Sequence, residues 1–225
     1  MDHIDTVPIQ YREGSASFLG MDILVDPRVF IPRPETELLI RTVADICKKG
    51  FRENPFILDI GTGSGVVPLG LTRSIEGCRV ISVDISRNAL DVAEQNIARY
   101  GHGGDITLAR SDMFEVFGAE HEGLFDAVVS NPPYVSDSDY EELDQWVKAE
   151  PRVALYAGEE GLDHLRVLAE ESSRFLKPDG FAAVEVGYDQ AQKVKDLFER
   201  DGFSRVEGFD DFNNYERVIV GWKNG

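Results

Sequence analysis

The stretch "FILDIGTGSGVVPLGL", Phe56 to Leu71, decides how the rest of the chain is read. It sets a short apolar run against three closely spaced glycines and then returns to apolar residues. A strand, a tight turn and a helix in that order form the first half of a βαβ unit. Gly61, Gly63 and Gly65 let the backbone turn sharply and come close to a ligand. The pattern is not the dinucleotide fingerprint GxGxxG. Val66 stands where its last glycine would be, so the third glycine comes one residue early. No GK[ST] follows, which excludes a P-loop of the usual form.

Outward from this turn the strand–helix alternation continues. "RVISVD" is a second strand, and Ser86 is placed to cap a helix whose Leu90, Ala93 and Ile97 share a face. "DITLAR", "FDAVVS" and "GFAAVEV" are further strands. Before the last of them, "GLDHLRVLAEESSRFL" puts Leu162, Leu165, Leu168 and Phe175 on one side of a helix. A helix carrying Ala191, Val194, Leu197 and Phe198 follows, and "SRVEGF" and "ERVIVGW" read as a closing pair of strands. Upstream, "SFLGMDILVDP" predicts a small hairpin about Gly20. "PETELLIRTVADICKK" predicts a helix with Pro34 at its first position and Glu35 and Glu37 at its positive end. The expected fold is therefore α/β: a mostly parallel seven-stranded sheet with helices on both faces, preceded by a small β-hairpin. Residues 1–34 form the hairpin and linker, and residues 35–225 the main domain.

Composition narrows the function. The chain has 225 residues, 42% of them hydrophobic, enough for a globular core. Its formal net charge of −18 opposes binding to a phosphate backbone, which gains affinity mainly through Lys and Arg. The nearest thing to a basic run is "CKKGFR", Cys47 to Arg52. His3, His102, His121 and His164 are scattered and Cys47 and Cys78 form no CxxC pair, so no metal site is expected. The N-terminus lacks the pattern of a signal peptide, and no apolar run reaches the roughly 18–20 residues that span a membrane. A reduced, cytoplasmic protein is the expectation.

The chemistry gathers where strands end. Gly61 to Gly65, Asp84, Asp112 and Asn131 to Tyr134 each follow a strand, and in a parallel sheet all four belong on one edge. Asp84 lies near the ~20-residue offset at which an acid binds ribose hydroxyls, and Asp112 is placed to accept from an adenine amino group. Singly, each has a plain structural reading: glycines make turns, and an acid after a strand caps the next helix. Together they point to a nucleoside-containing cofactor. The acidic lining suits a cationic one, so S-adenosylmethionine fits better than NAD.

"NPPY", Asn131 to Tyr134, suits methyl transfer to a planar amino group. The lone pair of such a nitrogen is delocalised and weakly nucleophilic. The Asn131 side-chain oxygen and the Pro132 carbonyl can accept from its two hydrogens, and the prolines fix the aim of that carbonyl. The Tyr134 ring can cover the planar group and stabilise positive charge growing on nitrogen. Asn131, Pro132 and Tyr134 are the expected catalytic residues, with Pro133 also at the substrate.

With these residues in view the chain resembles the PrmC/HemK family, which methylates a glutamine side-chain amide in peptide chain release factors. The resemblance rests on "PIQYREG", "FIPRPETELL", "DIGTGSG", "SNPPY", "EPRVALYAGEEGLDHLR" and "ERVIVG" and covers nearly the whole chain. It implies a Rossmann-like class I S-adenosylmethionine-dependent methyltransferase fold. It implies cofactor contacts at Gly61, Thr62, Gly63, Ser64, Gly65, Asp84, Met113 and Asn131, beside the Asp112 contact read above. It implies a substrate glutamine, in the GGQ loop of a release factor, held by Asn131, Pro132, Pro133 and Tyr134. The family often has Trp where this chain has Met113, so stacking on adenine is expected to be looser. Its members usually carry an N-terminal helical domain ahead of the P-x-Q-Y segment; here seven residues precede Pro8. Two other readings stand beside this one: an adenine-amino methyltransferase acting on DNA or RNA, and a non-catalytic cofactor-binding subunit. The acidic "VSDSDYEELDQW" just after Pro133 and Tyr134 is expected at the substrate entrance.

Overall fold

The computed structural model describes residues 6–50, 53–100 and 105–225. His3, His102 and the Phe51–Arg52 end of "CKKGFR" lie outside them. The described chain opens with helix α1 (Ile9–Glu13), the strands β1 (Ser15–Phe18) and β2 (Met21–Leu24), and helix α2 (Pro34–Lys49). It continues through β3 (Phe56–Ile60), α3 (Val66–Ser74), β4 (Arg79–Asp84), α4 (Arg87–Tyr100), β5 (Ile106–Arg110) and β6 (Phe125–Ser130). Two short helices follow, α5 (Asp137–Glu142) and α6 (Gln145–Lys148). Then come α7 (Asp163–Phe175), β7 (Leu176–Glu185), α8 (Ala191–Arg200), β8 (Arg205–Asp210) and β9 (Glu216–Trp222).

The seven strands of the main sheet lie in the order β5-β4-β3-β6-β7-β9-β8. All neighbours are parallel except β9, which is antiparallel to both β7 and β8. The chain runs outward from β3 to β5 and then returns to β6 on the other side of β3. Strand order therefore reverses between β3 and β6, and their carboxyl ends open a crevice there. The glycine turn leaves β3 at that point and the two prolines leave β6.

Alternate residues of each strand serve opposite faces, which is why the central strands read as continuous apolar runs. Ile57, Ala127 and Val129 join Leu39, Val43 and Leu69 of α2 and α3 on one face. Leu58, Ile60 and Val128 join Leu165, Leu168, Val194 and Phe198 of α7 and α8 on the other. Phe125, Phe175, Phe181 and Phe198 are the largest fully buried side chains. Each contributes on the order of 1.5–3 kcal/mol through burial.

The hairpin of β1 and β2 lies against this assembly, with Phe18, Met21 and Ile23 in the same apolar cluster as α2 and α3. Its buried polar tie is Asn96 of α4, beside the more exposed bonds of Arg99 and Tyr100 to Asp22. The Asn96 oxygen accepts from the Leu24 amide at 2.8 Å, and its nitrogen donates to the Leu24 carbonyl at 3.0 Å and the Ser64 carbonyl at 2.9 Å. One carboxamide thus joins hairpin, helix and glycine turn. The helices α1, α5 and α6 were not foreseen, because four to six residues are too few to display a helical period. Helix α5 starts where the Ser136 hydroxyl accepts from the Asp139 amide at 3.2 Å.

Candidate active site

A cavity of about 430 Å³ opens at the crevice between β3 and β6, within the size range of small-molecule sites. Gly61, Thr62, Gly63, Ser64, Asp84, Asp112 and Met113 line one end, and Asn131, Pro132, Pro133 and Tyr134 the other. Of the residues singled out in the sequence, Gly65 alone is not in the wall. It has φ of 83° ahead of α3, and a Cβ there would sit 3.2 Å from that of Ala93. Its glycine is required for backbone conformation and for the close approach of α4.

The end with the glycine turn is built from backbone. Gly61 and Gly63 have φ of 77° and 55°, a region that side-chain-bearing residues rarely adopt. Asp84, at the end of β4, receives the Gly63 amide at 2.9 Å on one oxygen and the Ser86 amide at 2.8 Å on the other. Burial raises its pKa above the ordinary carboxylate value, and these two amides hold it down. Each oxygen keeps a lone pair free to accept a further hydrogen bond. Met113 turns into the wall with φ of 44°, and Ile85 is 42% exposed beside it. The two arginines in the wall are already engaged, Arg28 with Asp26 and Arg33 with Glu150. A cavity with free carboxylate lone pairs and satisfied cations fits a nucleoside bearing positive charge, such as S-adenosylmethionine, better than a polyphosphate.

The Asn131–Tyr134 end is oriented by hydrogen bonds. The Asn131 nitrogen donates to the Thr36 hydroxyl at 2.9 Å, which leaves the side-chain oxygen without a partner among the described residues. The Pro132 carbonyl likewise receives no bond from them. Two acceptors therefore sit at the wall, at the end that holds Tyr134. The Tyr134 phenol is held far from ionisation by burial first and by the Glu185 charge second. Thr36 passes its own hydrogen to Glu185 at 2.8 Å. Burial pushes the Glu185 carboxyl up to about 7.

The sequence matches the methyltransferase small domain family over residues 34–153. A release factor glutamine methyltransferase from Streptococcus pneumoniae is 41% identical over 215 residues, covering 95% of this chain and 74% of the relative. One from Geobacter sulfurreducens is 36% identical over 218 residues, covering 95% of this chain and 72% of the relative. The chain belongs to the release factor glutamine methyltransferase family. Among solved structures, the release factor-specific protein-(glutamine-N5) methyltransferase of Alicyclobacillus acidocaldarius superimposes with a TM-score of 0.54 at 28% identity. That match covers 89% of this chain and 99% of the other.

Membership in the glutamine methyltransferase family gives the motifs around the site a shared purpose, and the structure shows what each one touches. In "FIPRPETELL", Arg33 reaches Glu150 of "EPRVAL", and Glu150 also accepts the Ile31 amide at 2.9 Å. Glu150 is only 3% exposed, so this pair fixes the approach to α2 against the segment after α6. In "EEGLDHLR", Gly161 lies under the loop of Asn131 to Tyr134: a Cβ on it would fall 2.4 Å from the Tyr134 carbonyl. Gln190 completes the support. Its nitrogen donates to the Tyr134 and Gly161 carbonyls at 2.9 and 3.1 Å, and its oxygen accepts the Gly187 amide at 2.9 Å. Sequence reasoning missed Thr36, Glu150, Glu185 and Gln190 as site residues; only membership of the quoted family segments signalled the first two.

Gly161 yields a test. With φ of 71° and a carbonyl in the way, Gly161→Ala is expected to cost ~1–3 kcal/mol of stability and to displace Tyr134 in the cavity wall. Thermal unfolding and turnover at saturating substrate should fall together. A variant with unchanged melting and turnover would show that the loop does not depend on this contact.

Among the described residues no cluster of His, Cys, Asp or Glu could hold a metal, and no helix is long and apolar enough to cross a membrane.

Proposed function

We propose that this chain transfers a methyl group from S-adenosylmethionine to the side-chain amide nitrogen of a glutamine in a peptide chain release factor, at its GGQ loop. The observation that carries the reading is the pair of acceptors without a partner among the described residues, the Asn131 side-chain oxygen and the Pro132 carbonyl, at a cavity of about 430 Å³. S-adenosylmethionine supplies the electrophilic methyl, carried on a sulfonium.

The chain's own residues supply position and field. Asp84 holds the ribose hydroxyls, Asp112 the adenine amino group, and Ile85 and Met113 cover the base. The glycine turn, Gly61 to Gly65 with Thr62 and Ser64, shapes the backbone wall along the rest of the cofactor. Asn131 and Pro132 each accept one hydrogen of the acceptor NH2, which turns the nitrogen lone pair toward the methyl group. Pro133 keeps the loop extended, and the Tyr134 ring covers the amide plane. As the nitrogen becomes positive, both acceptors bind its hydrogens more tightly, so the stabilisation grows toward the transition state. The surplus proton leaves to solvent after transfer. No strong base is required of the chain.

The substrate reaches the site past α5 and α6, where Leu143, Trp146 and Val147 line the cavity and Trp146 is 45% exposed. An acidic, partly apolar rim suits a basic protein segment better than a polynucleotide, in keeping with the net charge of −18.

Asp84 tests the cofactor half of this reading. Asp84→Ala is expected to weaken S-adenosylmethionine binding by roughly 10- to 100-fold, the loss of one or two hydrogen bonds to a charged acceptor. Turnover at saturating cofactor should change much less. Calorimetric titration giving wild-type affinity would remove Asp84 from the cofactor site.

A further inference from the structure

A carboxamide has two ends of nearly the same shape, and only one of them can receive an amide hydrogen. Asn131 is useful to an NH2 acceptor only while its oxygen faces the cavity; turned over, it would set donor against donor. The orientation is fixed at second hand. Thr36 has one hydrogen to give, and Glu185 takes it at 2.8 Å. The Thr36 oxygen is then left with lone pairs alone, and the Asn131 nitrogen, 2.9 Å away, is the end that matches them. The three residues stand on α2, at the end of β6 and at the end of β7, so the polarity of the chain is set across three elements.

Glu185 is an expensive residue to keep where it is. It is 1% exposed, between Val184 and Val186, which are both fully buried. Its second oxygen makes no direct hydrogen bond among the described residues, and the neighbouring Tyr134 phenol is its remaining polar support. The nearest cation on β9, Arg217, is committed to Asp211 at 3.2 Å. An apolar residue would stabilise this position better, since a buried carboxyl without a paired cation costs free energy. What its ionised form offers over an apolar residue is an acceptor that offers no hydrogen back to Thr36.

We propose that Thr36 and Glu185 are positioning residues that lock the Asn131 carboxamide with its oxygen toward the acceptor amide, and so set the preference of the site for an NH2 group. The inference rests on the reading of Asn131 given above. It extends that reading to two residues that do not touch the reacting atoms.

The test uses Thr36→Val, which keeps shape and removes the hydroxyl, Thr36→Ser, which restores it, and Glu185→Gln. Turnover on an intact release factor is measured beside the side-chain amide signals of Asn131 in ¹⁵N-labelled protein. Thr36→Val is expected to lose roughly 10- to 100-fold in kcat, as when a supporting partner of a working group is removed, with the cofactor KM within about twofold. Hydrogen exchange of the Asn131 amide should accelerate in the same variant. Thr36→Ser should restore both kcat and protection, and Glu185→Gln should fall between wild type and Thr36→Val. Unchanged amide protection in Thr36→Val would overturn the lock, whatever happens to turnover. Wild-type kcat with protection lost would overturn its role in the reaction. The exchange measurement needs no acceptor, so a wild-type protein that methylates no release factor would defeat the substrate reading and leave the lock to be decided by the amide signals.

Discussion

A release factor carrying glutamate in place of its GGQ glutamine is expected to be methylated at least ~10⁴-fold more slowly than the intact factor, as kcat/KM. The two side chains are nearly isosteric, so contact area and shape give no reason for so large a factor. The reason is polarity. The Asn131 oxygen and the Pro132 carbonyl are both acceptors, and Thr36 holds Asn131 so that it stays one. A carboxylate would bring two more acceptors against them with no hydrogen in between, and buried acceptors would be left unpaired. The glutamate side chain also brings a negative charge to a site that already holds the buried Glu185 carboxyl. The ratio is measured with labelled S-adenosylmethionine on the two purified factors. Rates within tenfold of one another would mean that the site does not read the amide hydrogens.

Asn131→Ala should lower kcat by about 10²–10³-fold, the range seen when one preorganised hydrogen-bonding group is removed from a transition state. Among the described residues its side chain makes a single bond, the one to Thr36, so folding should be little affected. Affinity for the cofactor should stay within a few-fold of wild type. That split distinguishes the role. A collapse in cofactor affinity with turnover preserved at saturation would assign Asn131 to holding the cofactor alone.

The fold was readable because its signals are local. Apolar runs such as Phe56 to Ile60 and Phe125 to Ser130, each ended by a turn-forming residue, declare strands without help from the rest of the chain. The same locality exposed the glycine turn, Asp84, Asp112 and the two prolines, since each lies at or just past the end of a strand. What escaped was held together over long separations. Thr36 meets Glu185 across 149 residues, Glu150 meets Ile31 across 119, and Gln190 meets Tyr134 across 56. Thr36 reads in sequence as a first-turn helix residue and Gln190 as the residue before α8. Glu185 reads as one polar interruption in an apolar strand. Asn96, which clasps the hairpin from 72 residues away, looks like an ordinary polar position on α4. No neighbour in the chain announces these partners, because only the packed fold brings them together.

Gly65 makes the same point from the other side. Its place in "GTGSG" suggests a ligand contact, yet its tightest neighbours are atoms of Ala93 on α4. Motif membership located the turn; only packing could assign its glycines to different duties.

The measurement that tests this reading most directly is methyl transfer from labelled S-adenosylmethionine to an intact release factor, with the modified residue located by peptide mass mapping. One methyl group on the side-chain nitrogen of the GGQ glutamine, and none on the Gln→Glu factor, is the predicted result. A factor left unlabelled, or labelled on a lysine, arginine or any residue other than that glutamine, would contradict it.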